Sequence, residues 1–257
     1  MRRVRIVLVC ATLACVAPEE SARLDAALDQ AARLLADSAF ADSILRAAED
    51  LGTAVETRES TLPAPVRDPN EIRLALQAYS FGTYIGELFG QRDSINYRWS
   101  DRVREPLRVW IQRAPLGPRE AEFPRTVTEA FDPWTQVGIP VAFSFTEDSA
   151  RADVLITWVA QYESRTTGRT RWVHDQHGWI VGASIELALA QPDGRALDLP
   201  ALRAVARHEV GHLLGLGHCA DETNIMAATV RVTELSEADR ATVRLVYKLP
   251  PGSVRVP

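Results

Sequence analysis

Cysteine is scarce in this chain of 257 residues. There are three, and Cys10 and Cys15 lie within the first seventeen positions, leaving Cys219 as the one cysteine farther along. An internal disulfide framework is therefore excluded, and an oxidising destination is permitted without being required. Histidine is almost as rare, with five residues that all fall between positions 174 and 218. Methionine occurs as Met1 and Met226. Long blocks of one charge sign are missing too: the net charge of −5 is spread along the chain, against the basic face of a nucleic-acid binder. After residue 17 no apolar run reaches the roughly 20 residues that a membrane-spanning helix needs.

What remains is the composition of a folded protein, 46% hydrophobic and 25% charged, long enough for one domain plus an extension. Arg2, Arg3 and Arg5 precede an apolar run from Ile6 to Ala17, which ends abruptly at Pro18-Glu19-Glu20. A basic head before a short apolar run is the pattern of a signal for export, expected over residues 1–17. A buried first strand fits the basic start less well. Leu13-Ala14-Cys15 partly resembles a lipobox, which leaves a lipid anchor on Cys15 open. The expected destination is outside the cytoplasm, secreted or at the cell envelope.

Residues 18–100 read as a helical N-terminal segment. Leu24, Leu28, Ala31 and Leu35 share a helical face, a proline-containing break runs from Leu62 to Pro69, and Glu71 to Gly90 reads as a second helix. Prosegment, accessory domain and linker are all compatible with it. From about residue 101 the character changes. Strands are expected at Leu107–Ile111, Val141–Phe145, Val154–Val159 and Trp179–Leu189, with a helix at Pro124–Val137 despite Pro133. Leu199–Leu214 is helical, with Asp198 or Leu199 at its cap and Pro200 in the first turn. A last helix spans Ser236–Tyr247, with Ser236 as N-cap and Asp239 completing a capping box. The order implies an α+β fold in residues 101–257.

The chemistry concentrates in His208-Glu209-Val210-Gly211-His212. Four residues on a helix is close to one turn, so both imidazoles leave the same face and can grip one metal ion. Glu209 is turned aside, free to act on water rather than to ligate, as in a hydrolytic zinc site. The run continues Leu213-Leu214-Gly215-Leu216-Gly217-His218. A continuing helix would carry His218 away; Gly215 allows the positive φ that turns the backbone round and brings in a third imidazole.

This run resembles the metzincin signature, and the match is closest to matrixins, the matrix metalloproteinase type, here in a bacterial-type form with a signal. Asn224-Ile225-Met226, eight residues after His218, resembles the family's Met-turn, and Leu235-Ser236 through Tyr247 its C-terminal helix. The resemblance covers about residues 104–250. It implies a metzincin-like catalytic domain with a twisted mixed sheet, an active-site helix and a C-terminal helix. It also implies one catalytic Zn²⁺ on His208, His212 and His218, with Met226 as a non-ligand floor. Glu209 would be the general base of a metalloendopeptidase. An extended polypeptide substrate is expected to add to an edge strand at Gly178–Leu189. Three departures qualify the likeness. Cys219 replaces a serine, either as a small buried residue or as a sulfur near the site. Ala227 and Ala228 replace an aromatic and a proline, so subsite walls do not transfer. Between Cys15 and Cys219 there is no cysteine for a cysteine-switch form of latency.

His174 and His177 form a second cluster, open to three readings: a structural metal, a substrate-rim loop or a solvated loop. Two rival functions stand beside the peptidase, a non-catalytic zinc-stabilised binding module of the envelope and a hydrolase of non-peptide amides. Substrate preference and oligomeric state leave no mark in the sequence.

Overall fold

The computed structural model of the chain describes residues 62–115, 121–162, 166–191 and 193–255. The expected signal, Cys15 and the helical stretch between residues 21 and 59 lie outside the described residues. In chain order the elements are α1 (Pro69–Tyr79), α2 (Ile85–Gly90), β1 (Ile95–Asn96), β2 (Arg102–Ile111), α3 (Glu122–Glu129), α4 (Asp132–Thr135), β3 (Val141–Phe145), β4 (Val154–Val159), β5 (Gly168–His174), β6 (Ile180–Ala188), α5 (Leu199–Leu213), α6 (Glu237–Lys248) and β7 (Gly252–Ser253). Among the described residues no helix is long and apolar enough to cross a membrane.

The main sheet has the order β3-β2-β4-β6-β5. β2, β3, β4 and β6 run parallel, and β5 pairs antiparallel with β6 at the edge. It is thus a mixed sheet in an α+β domain, as expected. β4 shows why the parallel strands sit inside: Val154 to Trp158 are all buried, the near-continuous apolar run of a strand covered on both faces.

The expected edge strand needs correcting. Residues 180–188 form an interior strand with β4 on one side and β5 on the other. The edge is β5, Gly-Arg-Thr-Arg-Trp-Val-His, in which arginines rather than apolar residues alternate with their neighbours. Periodicity of apolar residues cannot show such a strand. Two expected helices are also divided. Glu71–Gly90 splits into α1 and α2 around Gly82, at φ +73°. The stretch from residue 124 to 137 splits between α3 and α4, because Pro133 has no N–H to offer the Glu129 carbonyl; it sits in the first turn of α4 instead. The capping box of α6 is present as expected, with Ser236 and Asp239 each bonding the other's backbone.

The core runs past position 101 toward the N-terminus. Ile72, Tyr84, Ile85, Leu88 and Trp99 belong to one buried cluster with Leu202, Leu213, Val243 and Val246. Tyr84 places its backbone N–H on Thr242 Oγ1 (3.1 Å) and its hydroxyl on Asp239 Oδ1 (3.0 Å). Trp99 Nε1 donates to Leu213 O (2.9 Å), fixing the strand entry to the end of α5.

Candidate metal centre

Helix α5 starts where Asp198 accepts the Ala201 N–H at 2.8 Å, with Pro200 in the first turn where no donor is missed. Leu202, Val205, Ala206, Val210 and Leu213 turn inward and hold the helix to the core. The helix ends at Leu213, and Gly215 follows at φ +95°. A β-carbon at Gly215 would stand 2.2 Å from Tyr97 O, so both the dihedral and the space exclude a side chain. The chain reverses there and carries His218 back to the helix face bearing His208 and His212.

The three imidazoles converge. His212 Nε2 lies 2.9 Å from His208 Nε2 and 3.2 Å from His218 Nε2. The Nδ1 atoms of His208 and His212 face the carbonyls of Ile225 (2.7 Å) and Leu216 (3.0 Å). Carbonyls only accept, so each Nδ1 carries the proton and each Nε2 presents a lone pair. Lone pairs gathered this closely repel one another unless a cation lies among them, and the three residues form a group that can hold a metal ion. Their protonation is suppressed to match. Burial, opposed by the bond to Ile225 O, pushes His208 down to about 4. His212 is lowered by burial and by His208, and His218 by burial and by Arg92.

Beneath the helix Met226 is fully buried, its sulfur packed against Gly211. The turn bearing it is tied down by Asp239, whose Oδ2 accepts the N–H of Ile225 (3.0 Å) and of Ser236 (2.8 Å). Ile225 then links Asp239 on one side to His208 on the other. Cys219 pairs its backbone with Met226 O (3.0 Å) and turns its sulfur to Asp221 O at 3.7 Å. Burial raises its thiol to about 11, so the small-buried-residue reading fits.

Glu209 is 4% exposed, and its carboxylate lies under β5. Thr170 Oγ1 donates to Glu209 Oε2 at 2.6 Å, and a β-carbon at Gly168 would stand 2.5 Å from Oε1. Burial raises this carboxyl to about 7, against the lowering by Thr170 and Arg169. A carboxyl that exchanges its proton near neutral pH suits acid–base work. Gly168 and Thr170 escaped the sequence reading because they meet Glu209 across about 40 positions, on a strand without an apolar pattern.

The second histidine cluster is of another kind. His174 ends β5 with Nδ1 facing Asp175 O (2.8 Å), its ring against Tyr97 at 4.4 Å and Trp172 at 6.0 Å. Asp175 Oδ1 accepts the N–H groups of His177 (2.8 Å) and Trp179 (2.9 Å), closing the turn into β6. Among the described residues the group able to hold a metal is His208, His212 and His218. The sequence places 174 and 177 together; the structure uses them to end a hairpin.

A helix–glycine reversal that gathers three histidines above a buried methionine, beside an antiparallel edge strand, places this domain among the metzincins. The chain belongs to the matrixin family, whose profile matches residues 99–248. It is similar to Metalloendoproteinase 5-MMP of Arabidopsis thaliana, 29% identical over 171 residues, 58% of this chain and 45% of that protein. It is also similar to Metalloendoproteinase 1 of Glycine max, 27% identical over 150 residues, 50% of this chain and 47% of that protein. The chain thus spans less than half the length of these relatives.

Proposed function

We propose that the chain is an exported zinc-dependent endopeptidase, with His208, His212 and His218 holding one Zn²⁺ and Glu209 acting as general base. The observation that carries this reading is the convergence of three Nε2 atoms beside a buried carboxylate. Tetrahedral zinc, with Zn–N of roughly 2.0–2.1 Å, sets ligand nitrogens ~3.3 Å apart, close to the spacings found. Bound there, zinc would polarise the scissile carbonyl and acidify water in the remaining position.

The chain's own groups do the rest. The Ile225 and Leu216 carbonyls keep the Nε2 lone pairs of His208 and His212 inward. Glu209 takes a proton from the attacking water and returns it to the departing amine, the carboxyl serving first as base and then as acid. Thr170 anchors that carboxylate against β5. Among the described residues no further strand covers the outer edge of β5, which offers main-chain groups to an extended polypeptide, so affinity comes from added-strand hydrogen bonding. The basic, apolar start at residues 1–17 directs export; protein retained in the cytoplasm with residue 1 intact would count against it.

The deciding experiment measures zinc content and cleavage of an unfolded protein for wild type and Glu209→Ala. Near-stoichiometric zinc in both, with cleavage lowered about 10²–10⁴-fold in the variant, is the expected result. Zinc in both with cleavage in neither leaves latency or an envelope binding module, and repeating it on residues 62–257 separates them: cleavage there means latency, and none overturns the peptidase reading. Cleavage of small amides but not of unfolded protein would replace the substrate class.

A further inference from the structure

Four hydrogen bonds reach from the segment around α2, which precedes the matrixin match, to the loop carrying the third histidine. Arg92 Nη1 donates to Gly215 O at 2.7 Å and Nη2 to Leu216 O at 2.9 Å. Gln91 Nε2 donates to His218 O at 2.7 Å, and Glu87 Oε2 accepts the N–H of Ala220 at 2.7 Å. These partners lie more than 120 positions away in sequence.

Gly215 and Leu216 lie just past the end of α5, in the turn that reverses the chain beside the negative end of the helix dipole. A planar guanidinium can bridge two successive carbonyls with a fixed fork, which an ammonium cannot do. Arg92 does so while its guanidinium lies 5.4 Å from the Trp172 ring centroid and 6.0 Å from that of Tyr97. Trp172 belongs to β5, so the same side chain touches the edge strand and the histidine loop. Leu216 O is a shared acceptor: Arg92 bonds it from one side and His212 Nδ1 from the other. Burial lowers the guanidinium only to about 10, so it keeps its charge at neutral pH.

We propose that Arg92 and Gln91 are positioning residues of the metal centre, holding the Gly215–His218 turn so that the third imidazole meets the other two. The proposal rests on the reading that the three histidines bind zinc. It makes residues 87–92 part of the working unit rather than a removable prosegment. A helix cap with a purely structural role would change the stability of the fold and leave the metal's coordination as it was.

The test uses the full chain as wild type, Arg92→Met, Arg92→Lys and Gln91→Ala. Zinc affinity is measured by competition with a chromophoric chelator, and the visible spectrum of the Co²⁺-substituted protein reports ligand geometry. Chemical unfolding of the metal-free forms supplies the structural control. Arg92→Met is expected to weaken zinc binding about 10–100-fold and to alter the cobalt bands, with Arg92→Lys intermediate. Gln91→Ala, which removes one bond at the surface, is expected to weaken it about threefold. A folded Arg92→Met protein with wild-type zinc affinity and cobalt spectrum overturns the proposal. If that variant does not fold, Gln91→Ala decides, and an unchanged affinity overturns it. Wild type without zinc affinity would sink the metal reading itself. Wild type that holds zinc but cuts nothing would sink only the peptidase, and the affinities would still decide this point.

Discussion

The two histidine clusters resemble each other in sequence and in their immediate partners. His174, His208 and His212 each turn Nδ1 to a backbone carbonyl, at 2.8, 2.7 and 3.0 Å. A histidine oriented by a carbonyl is therefore not by itself a ligand. The difference lies in what the other nitrogen meets. On α5, one helical turn and a glycine reversal bring three Nε2 atoms face to face. At the end of β5, the residue after His174 is an aspartate whose Oδ1 is committed to the backbone of the next turn, and the ring packs at a tilt against Tyr97 and Trp172. Convergence, not orientation, separates a group able to hold a metal ion from a hairpin end.

The comparison breaks most sharply at His212. Removing one of three ligands should lower zinc affinity on the order of 10³-fold, whereas zinc bound as tightly as in wild type would place the metal elsewhere. Acidification of the metal-free protein comes next. His208 is neutral when folded down to about 4 against 6.5 unfolded, so it withdraws about 3 kcal/mol as pH falls through that window. Glu209 acts oppositely: held up to about 7 against 4.5, it gains about as much between those values as pH falls. His212 and His218, both lowered, tip the sum toward loss. Denaturation midpoints in chelator should thus be lower at pH 5 than at pH 7; a higher midpoint at pH 5 would contradict this reading.

Smaller effects sharpen the contrast. Thr170→Val should keep zinc and lower cleavage about tenfold, checked by kcat with zinc content held equal. His174→Ala should cost about 1–2 kcal/mol of stability through its ring contacts and hydrogen bond, and His177→Ala less than about 0.5 kcal/mol. Both should bind zinc as wild type does, and a drop in stoichiometry for either would return that cluster to the metal question.

Local rules made much of this legible. The helix and glycine turn at 208–218, the strands β3 and β4, and the capping box at Ser236 and Asp239 each depend on residues close in sequence. The anchors of those parts were not legible. Asp239 reads as half of a capping box, yet its carboxylate also fixes Ile225 and, through Tyr84, a segment 155 positions upstream. β5 alternates arginine with other residues, so no apolar period reveals that the edge falls there and not at β6. Arg92, Gln91 and Thr170 act across gaps that no spacing rule bridges.

The small β1–β7 sheet sets the order in which the molecule can be assembled. Ile95 pairs with Ser253 and Val254 N bonds Ser94 O at 2.9 Å, while Asn96 Nδ2 reaches Val246 O and Pro250 O, each at 3.0 Å. These contacts close loops of some 150 residues, whose entropy must be overcome before the pairing returns anything. A chain emerging from its N-terminus cannot fasten this buckle until its last strand has been made.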